Sequence, residues 1–388
     1  MFGRRVKLFT IFGFEIRLDA SWIVIAALVT WSLAGIIFPA AFPGLPVGRY
    51  WAMGAIGAVL FFASIVFHEL CHSLVANHYK LPMKGITLFI FGGVAEMGGE
   101  PQSPKIEFWM AIAGPLASIA LGCMFRGLQL AGAGWPVEVV GVLAYLAWIN
   151  WALALFNLVP AFPLDGGRVL RAALWRFTHN LLRATKIASS IGAGFGILLM
   201  AFAVFQIFGG YFISAIWYFL IGAFLRGASQ ASFQQLRLRT ALEGEEVQRF
   251  MHPNPVAVPA DLSLRELVED YFYRYNLNVY PVVAESQDLV GCVTAKDVKA
   301  VPRDEWDRHQ VSEVAHACSD RNMVTPHTSA LGALQKIQDT GDSLLVTDQN
   351  HLLATVSPVD ISNFLAAKME MEGGGGKPPE DHPQDLAA

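Results

Sequence analysis

Two histidines and a carboxylate stand at metal-binding spacing in Ser64-Ile-Val-Phe-His68-Glu69-Leu-Cys-His72-Ser-Leu-Val-Ala-Asn-His78-Tyr79. Residues four apart project from one face of a helix, so His68 and His72 can chelate one ion while Glu69, beside them, works on a bound water. Two histidines do not complete a catalytic zinc site, which takes three protein ligands and keeps a position for water. His78 is offered by its spacing, but a ligand there needs the chain to turn back, and Val75 stands where a glycine would allow the turn. On a continued helix His78 lies ~15 Å along the axis from His68 and points away. It is expected to be an interfacial residue.

A better third ligand lies in Phe156-Asn157-Leu-Val-Pro160-Ala-Phe-Pro163-Leu-Asp165-Gly166-Gly167-Arg168. Two prolines and two glycines break a helix where Asp165 occurs, and broken backbone at membrane depth is tolerated where it lines a buried or watery cavity. Plainer readings exist: a hydrogen-bonded pair of interfacial histidines, and a turn aspartate paired with Arg168. Ionisable side chains among apolar spans are costly to bury without a use, which favours the metal site. Cys71 points in another helical direction and reads as packing. Gly114-Pro115, within Met110-Ala-Ile-Ala-Gly-Pro-Leu-Ala-Ser118, supplies small residues for close helix contact near the site.

The elements that must position these residues are apolar. Of the 388 residues 54% are hydrophobic and 15% charged, with mean hydropathy +0.43, too oily for an ordinary soluble chain. The charge is unevenly divided, with 15 basic and 8 acidic residues up to Arg226 against 13 and 24 beyond it. A basic membrane part thus precedes an acidic soluble part, which gives no electrostatic footprint for nucleic acid. Charge-free runs at 20–48, 50–67, 108–125, 139–164 and 187–225 compare with the ~20 residues of a bilayer crossing. The last run is long enough for two crossings, divided at Phe208-Gly-Gly-Tyr211, so six spans are expected. Basic residues in the successive segments outside the spans number 4, 1, 3, 1, 5 and 0, with many after Arg226. The alternation puts both termini, and the ends of the spans that carry His68, His72 and Asp165, on the cytoplasmic side. Residues 1–20 are charged and alternating, which predicts a short cytoplasmic hairpin at 7–17 and no cleavable signal peptide. Cys71, Cys123, Cys292 and Cys318 are scattered, and neither a disulfide scaffold nor a cysteine zinc knuckle is expected.

Beyond Glu243 the pattern becomes short β-rich runs and amphipathic helices with a weak internal repeat. Val256–Leu267 aligns with Met323–Leu334, and Leu289-Val-Gly-Cys-Val-Thr294-Ala-Lys-Asp297 with Leu352-Leu-Ala-Thr-Val-Ser357-Pro-Val-Asp360. Read alone, Thr294 and Ser357 cap the helices that follow, with Asp297 and Asp360 in their first turns. The second repeat is abbreviated around residues 342–350. Past Met371, Gly373-Gly-Gly-Gly-Lys-Pro-Pro-Glu-Asp has the composition of a disordered tail.

The repeat resembles a tandem pair of CBS modules, and the resemblance implies adenine nucleotide binding, with ATP as one candidate regulator. Asp297 and Asp360 would meet ribose hydroxyls, while Thr294 and Ser357 would face phosphate. HELCH in an early span, followed by Asn-Leu-Val-Pro-Ala-Phe-Pro-Leu-Asp-Gly-Gly-Arg in a later one, resembles the site-2 protease family of intramembrane zinc metalloproteases, in its branch with a C-terminal CBS pair. That likeness implies one Zn2+ per chain held by His68, His72 and Asp165, Glu69 as general base, and Asn157 as a donor to the oxyanion. The CBS resemblance also implies dimerisation through those modules.

The expected fold is a polytopic α-helical membrane domain with six spans, a cytoplasmic-side hairpin and a membrane-associated β segment, followed by an α/β CBS pair. The ranges are 1–226 for the membrane metalloprotease domain, 227–244 for a connector, 245–368 for the CBS pair and 369–388 for the tail. Between the second and third spans, Ile86-Thr-Leu-Phe-Ile-Phe91-Gly92-Gly93-Val94-Ala-Glu-Met97 reads as a β-hairpin or re-entrant sheet. A helical substrate must be unwound before it is cut, and Phe91, Gly92, Gly93 and Val94 could hold the unwound strand; a hairpin that only shields the cavity fits the same residues. The expected activity is zinc-dependent hydrolysis of peptide bonds in transmembrane segments of regulatory membrane proteins, in a multi-pass protein of the cell membrane. A CBS-gated divalent-metal transporter is the alternative. It has no need of Glu69, whereas hydrolysis does.

Overall fold

The computed structural model describes residues 5–81, 83–89, 92–97, 99–132, 134–253, 255–275, 277–286, 288–349 and 351–372. Long apolar runs become helices because a helix satisfies its own backbone N–H and C=O groups where water is absent. Among the described residues six helices are long and apolar enough to cross a membrane: α1 (Ser21–Ala41), α2 (Val47–His78), α3 (Pro104–Ala131), α4 (Val137–Asn157), α6 (Leu181–Phe208) and α7 (Phe212–Leu242). The turn between α6 and α7 falls at Gly209-Gly210, where Gly210 takes φ +81°, as expected from the Gly-Gly pair. A further helix, α5 (Asp165–Thr178), is amphipathic and short; it carries Asp165 as its first residue.

The chain divides into two compact units, Met1–Gln235 and Leu236–Ala388. In the first, Leu33 and Phe38 of α1, Tyr50, Met53, Phe62 and Ile65 of α2, and Val142 and Leu146 of α4 form one apolar core. Gly54 lets α2 approach α1, since a Cβ there would lie 2.9 Å from the Thr30 carbonyl oxygen. A four-stranded sheet joins what sequence pattern separates. β1 (Arg5–Ile11), β2 (Phe14–Asp19), β3 (Met83–Phe89) and β4 (Gly92–Met97) lie in that order, with β2 and β3 parallel and Ile16 opposite Ile86. Ile16 and Ile86 are fully buried and cluster with Leu70 of α2, so the sheet lies on the face of α2 next to the histidines.

The second unit repeats one plan. β5 (Val258–Pro259), α8 (264–275), β6 (Val279–Val283), β7 (Leu289–Thr294) and α9 (Ala295–Lys299) are followed, after α10 (Val311–Val314), by β8 (Met323–Val324), α11 (Ala330–Thr340), β9 (Leu344–Asp348), β10 (His351–Val356) and α12 (Pro358–Glu372). Each half has a three-stranded sheet with one parallel and one antiparallel pair. Val283 and Cys292 of the first half pack with Leu345 and Leu352 of the second.

The structure adds detail to two expectations and moves one boundary. The segment expected as a connector, 227–244, takes helical form through Leu242, continuing α7. The expected tail from 369 is helix through Glu372, and its remainder lies outside the described residues. Cys292 and Cys318 form a disulfide, a single bond rather than a scaffold, which the scattered cysteines do not suggest. Cys292 exchanges backbone hydrogen bonds with His316, and that bridge carries Cys318 to 5.1 Å between Cα atoms, within disulfide reach.

Candidate metal centre

Helical periodicity puts His68 and His72 on the same face of α2, and their rings meet edge to face at 4.8 Å. The third member arrives by a break in the chain. After Asn157 the backbone leaves the helix, and Asp165 opens α5, where a carboxylate suits the positive end of the helix dipole. Gly166 and Gly167 permit this sharp return: a Cβ on either would collide with the backbone of 158–162. His68 Nε2 then lies 3.1 Å from Asp165 Oδ2, His72 Nε2 lies 3.2 Å from the same oxygen, and the two Nε2 atoms are 3.1 Å apart. All three residues are buried.

The outer ring nitrogens are occupied. His72 Nδ1 donates to the Met110 carbonyl at 2.6 Å; a carbonyl only accepts, so the Nδ1 proton is fixed there. His68 Nδ1 meets the Ser118 hydroxyl at 2.8 Å. Both contacts come from α3 and turn the Nε2 atoms inward, which is how ligand histidines are oriented. Two imidazole nitrogens and a carboxylate facing one another call for a cation between them. Tetrahedral zinc at 2.0–2.1 Å from each ligand sets its ligand atoms about 3.3 Å apart, close to the spacing here, so the donor set fits zinc. Gly114 of α3 completes the cradle, since a Cβ on it would run into both Nε2 atoms.

Glu69 is half-buried and borders β4. A Cβ on Gly93 would lie 2.7 Å from Glu69 Cγ and 3.3 Å from Oε1. Gly92 takes φ +129°, a conformation open to glycine. Phe91 lies outside the described residues, and Val94 contributes backbone to β4 opposite Thr87. Asn157 ends α4 with its amide donating to the Leu153 carbonyl at 3.0 Å. His78 is exposed at the end of α2, its ring against Tyr79, and stays out of the cluster. Cys71 is a free thiol.

Sequence reasoning missed the parts of α3 that serve the histidines. Only Gly114-Pro115 stands out in the sequence, as small-residue packing, yet the spacing of four places Met110, Gly114 and Ser118 on one helical face, which is the available signal.

In the second unit, both Thr294 N and Oγ1 donate to Asp297 Oδ2, at 2.8 and 2.6 Å. Ser357 N and Oγ donate to Asp360 Oδ2 at 2.8 and 2.7 Å. These are the caps of α9 and α12, the plainer of the two sequence readings. His316 Nδ1 lies 3.3 Å from Asp297 Oδ2. Burial works against ionisation of Asp297, but the Thr294 hydrogen bonds and the neighbouring His316 hold its carboxyl below the ordinary value.

The model of peptidase family M50 matches residues 56–135 and 129–201, the stretches that hold all the candidate metal ligands. The CBS domain model matches residues 246–304. A protein of Synechocystis sp. named as a zinc metalloprotease, sll0528, is 37% identical over 368 residues, which cover 94% of this chain and 96% of that one. Rip3 of Mycobacterium tuberculosis, also named as a zinc metalloprotease, is 31% identical over 364 residues, 93% of this chain and 92% of its own. The solved site-2 protease of Methanocaldococcus jannaschii shares 29% identity and a TM-score of 0.42, covering 59% of this chain and 94% of that one. A likeness to sll0528 that runs nearly end to end, across both the membrane helices and the CBS region, shows that this chain belongs to the site-2 protease family of intramembrane zinc metalloendopeptidases, with a CBS domain at its C-terminal side.

Proposed function

We propose that His68, His72 and Asp165 hold the zinc ion of a protease that cuts transmembrane segments of regulatory membrane proteins, with Glu69 as its general base. The observation that carries the reading is the convergence of His68 Nε2, His72 Nε2 and Asp165 Oδ2, with Glu69 next in sequence to the first ligand. Zinc bound there would supply Lewis acidity at the scissile carbonyl and make a water acidic enough to be deprotonated near neutral pH. Glu69 accepts the proton of the attacking water and passes it to the leaving amide nitrogen. Asn157 has two amide N–H groups, one donated to Leu153; a second would meet the oxyanion. A transporter needs no base at that position, and family membership favours the protease.

A peptide bond inside a helix hides its carbonyl in the helix's own hydrogen bonding, so the segment to be cut must be extended first. β4 is an outer strand of its sheet, and its Gly93 borders Glu69. We assign it the capture of the unwound segment as an added strand, with Phe91 continuing the clamp. Both termini lie on the cytoplasmic side, as the basic residues of the alternate loops support. In the CBS unit, adenine nucleotide would bind beside Thr294 and Asp297, and beside Ser357 and Asp360, with the same groups that cap α9 and α12. Pairing of two chains would run through this unit.

Metal content of the purified protein tests the ligand assignment. Wild type should carry one zinc per chain, and His68→Ala, His72→Ala and Asp165→Ala should each lose it. Full zinc in Asp165→Ala would remove Asp165 from the set.

A further inference from the structure

Beside the metal centre lies a buried ion pair to which the chemistry above gives no part. Glu107, in the first turn of α3, is fully buried, and Arg171 of α5 is 4% exposed. Arg171 Nε donates to Glu107 Oε1 at 2.5 Å, and its Nη2 reaches the same oxygen. Nη2 also donates to Glu100 Oε2 at 3.3 Å, and the guanidinium lies 5.0 Å from the centre of the Phe162 ring. A planar guanidinium meets these partners in a fixed fork, which the point charge of a lysine does not reproduce.

An ion pair buried in a membrane domain pays a desolvation cost, and its best-attested use is to fix the register of one element on another. What stands on either side shows which register. Glu107 lies one turn before Met110, whose carbonyl orients His72, and further along the same helix Ser118 orients His68. Arg171 follows Asp165 by six residues on α5, and Phe162 precedes Asp165 by three. The Phe162 carbonyl accepts the Ser229 hydroxyl of α7, so the loop ahead of Asp165 is held from two sides. α3 thus aims both imidazoles, α5 delivers the carboxylate, and Glu107 with Arg171 ties the two helices together.

We infer that Glu107 and Arg171 are positioning residues of the metal centre, setting the register of α5 on α3 so that Asp165 closes on His68 and His72. The inference rests on the zinc assignment above. A slip of α5 by one residue would turn Asp165 by about 100° around the helix axis and part Arg171 from Glu107, so ligand and ion pair share one register.

Removing either charge alone leaves the other buried and unpaired, which destabilises the fold whatever the pair is for. The test therefore replaces both, Glu107→Met with Arg171→Met, beside Arg171→Lys and wild type, in purified full-length protein. Zinc affinity is read by competition with a chromophoric chelator, and thermal unfolding is followed in parallel. The double variant should unfold near the wild-type temperature yet hold zinc about 10-fold or more weakly, with Arg171→Lys in between. Wild-type zinc affinity in the folded double variant would overturn the positioning role and leave the zinc assignment standing. A wild type that binds no zinc would overturn both. If the double variant does not fold, Arg171→Lys decides: weakened zinc binding supports the inference, and unchanged binding overturns it.

Discussion

Gly93 of β4 touches the side chain of Glu69 so closely that a methyl group in place of its hydrogen would lie 2.7 Å from Glu69 Cγ. The strand proposed to hold substrate and the residue proposed to take the proton are therefore neighbours, and room for one is made by the other. Gly93→Ala should push the Glu69 carboxylate aside. We expect kcat to fall by about 10-fold or more, since small misplacements of a catalytic group cost on that order, while zinc content stays at the wild-type level. Unchanged kcat would separate β4 from the base.

The face of α3 that serves the histidines gives a second expectation. Ser118→Ala removes the partner of His68 Nδ1 and should weaken zinc binding by about 10- to 100-fold, measured by chelator competition. Gly114→Ala places a Cβ against both Nε2 atoms and should abolish zinc binding, although the substitution suits a helix better. Zinc retained by Gly114→Ala would contradict the cradle.

Capture of substrate on the β4 edge predicts a split in kinetic constants. Proline at a β4 position whose N–H points away from β3 removes a donor to an added strand without touching the β3–β4 ladder. KM for a membrane peptide should rise several-fold with zinc content unchanged. Equal cleavage by variant and wild type would leave the hairpin as a shield only.

How much of this was legible in the sequence depends on the range of each interaction. His68 and His72 announce themselves by spacing within one helix, and Asp165 by prolines and glycines that only a chain break explains. The partners of these residues do not. Met110 and Ser118 meet the histidines across a helix interface, and Glu107 finds Arg171 sixty-four residues away, so no local pattern relates them. The parallel pairing of β2 with β3 is invisible for the same reason, and the hairpin and the re-entrant strands read as separate features. The Cys292–Cys318 bond depends on a backbone bridge between β7 and His316, which spacing does not encode. α5 escaped the count of spans because it is short and amphipathic, although its first residue is a candidate ligand.

Asp297 supplies a pH-dependent expectation. Its carboxyl is held below the ordinary 3.8 by Thr294 and His316 against the opposing effect of burial. A carboxylate with a depressed folded pKa contributes stability that is complete above 3.8 and is lost as pH falls through the lower folded value. Asp297→Asn should therefore lower the thermal stability of the CBS unit at neutral pH, and the gap to wild type should close on acidification below that range. The same variant should weaken ATP binding, read by calorimetry on the full chain. Binding equal to wild type would limit Asp297 to its capping role.

On the reading proposed above, this chain hydrolyses peptide bonds within membrane segments by a zinc site whose base is Glu69. The most direct test of that reading is cleavage of a purified peptide containing a transmembrane segment, reconstituted with wild type or Glu69→Gln, with zinc content measured on the same samples. Wild type should cleave the peptide, and Glu69→Gln should lose about 10²–10⁴-fold or more of that activity with zinc fully retained. Cleavage by Glu69→Gln at the wild-type rate would contradict that reading.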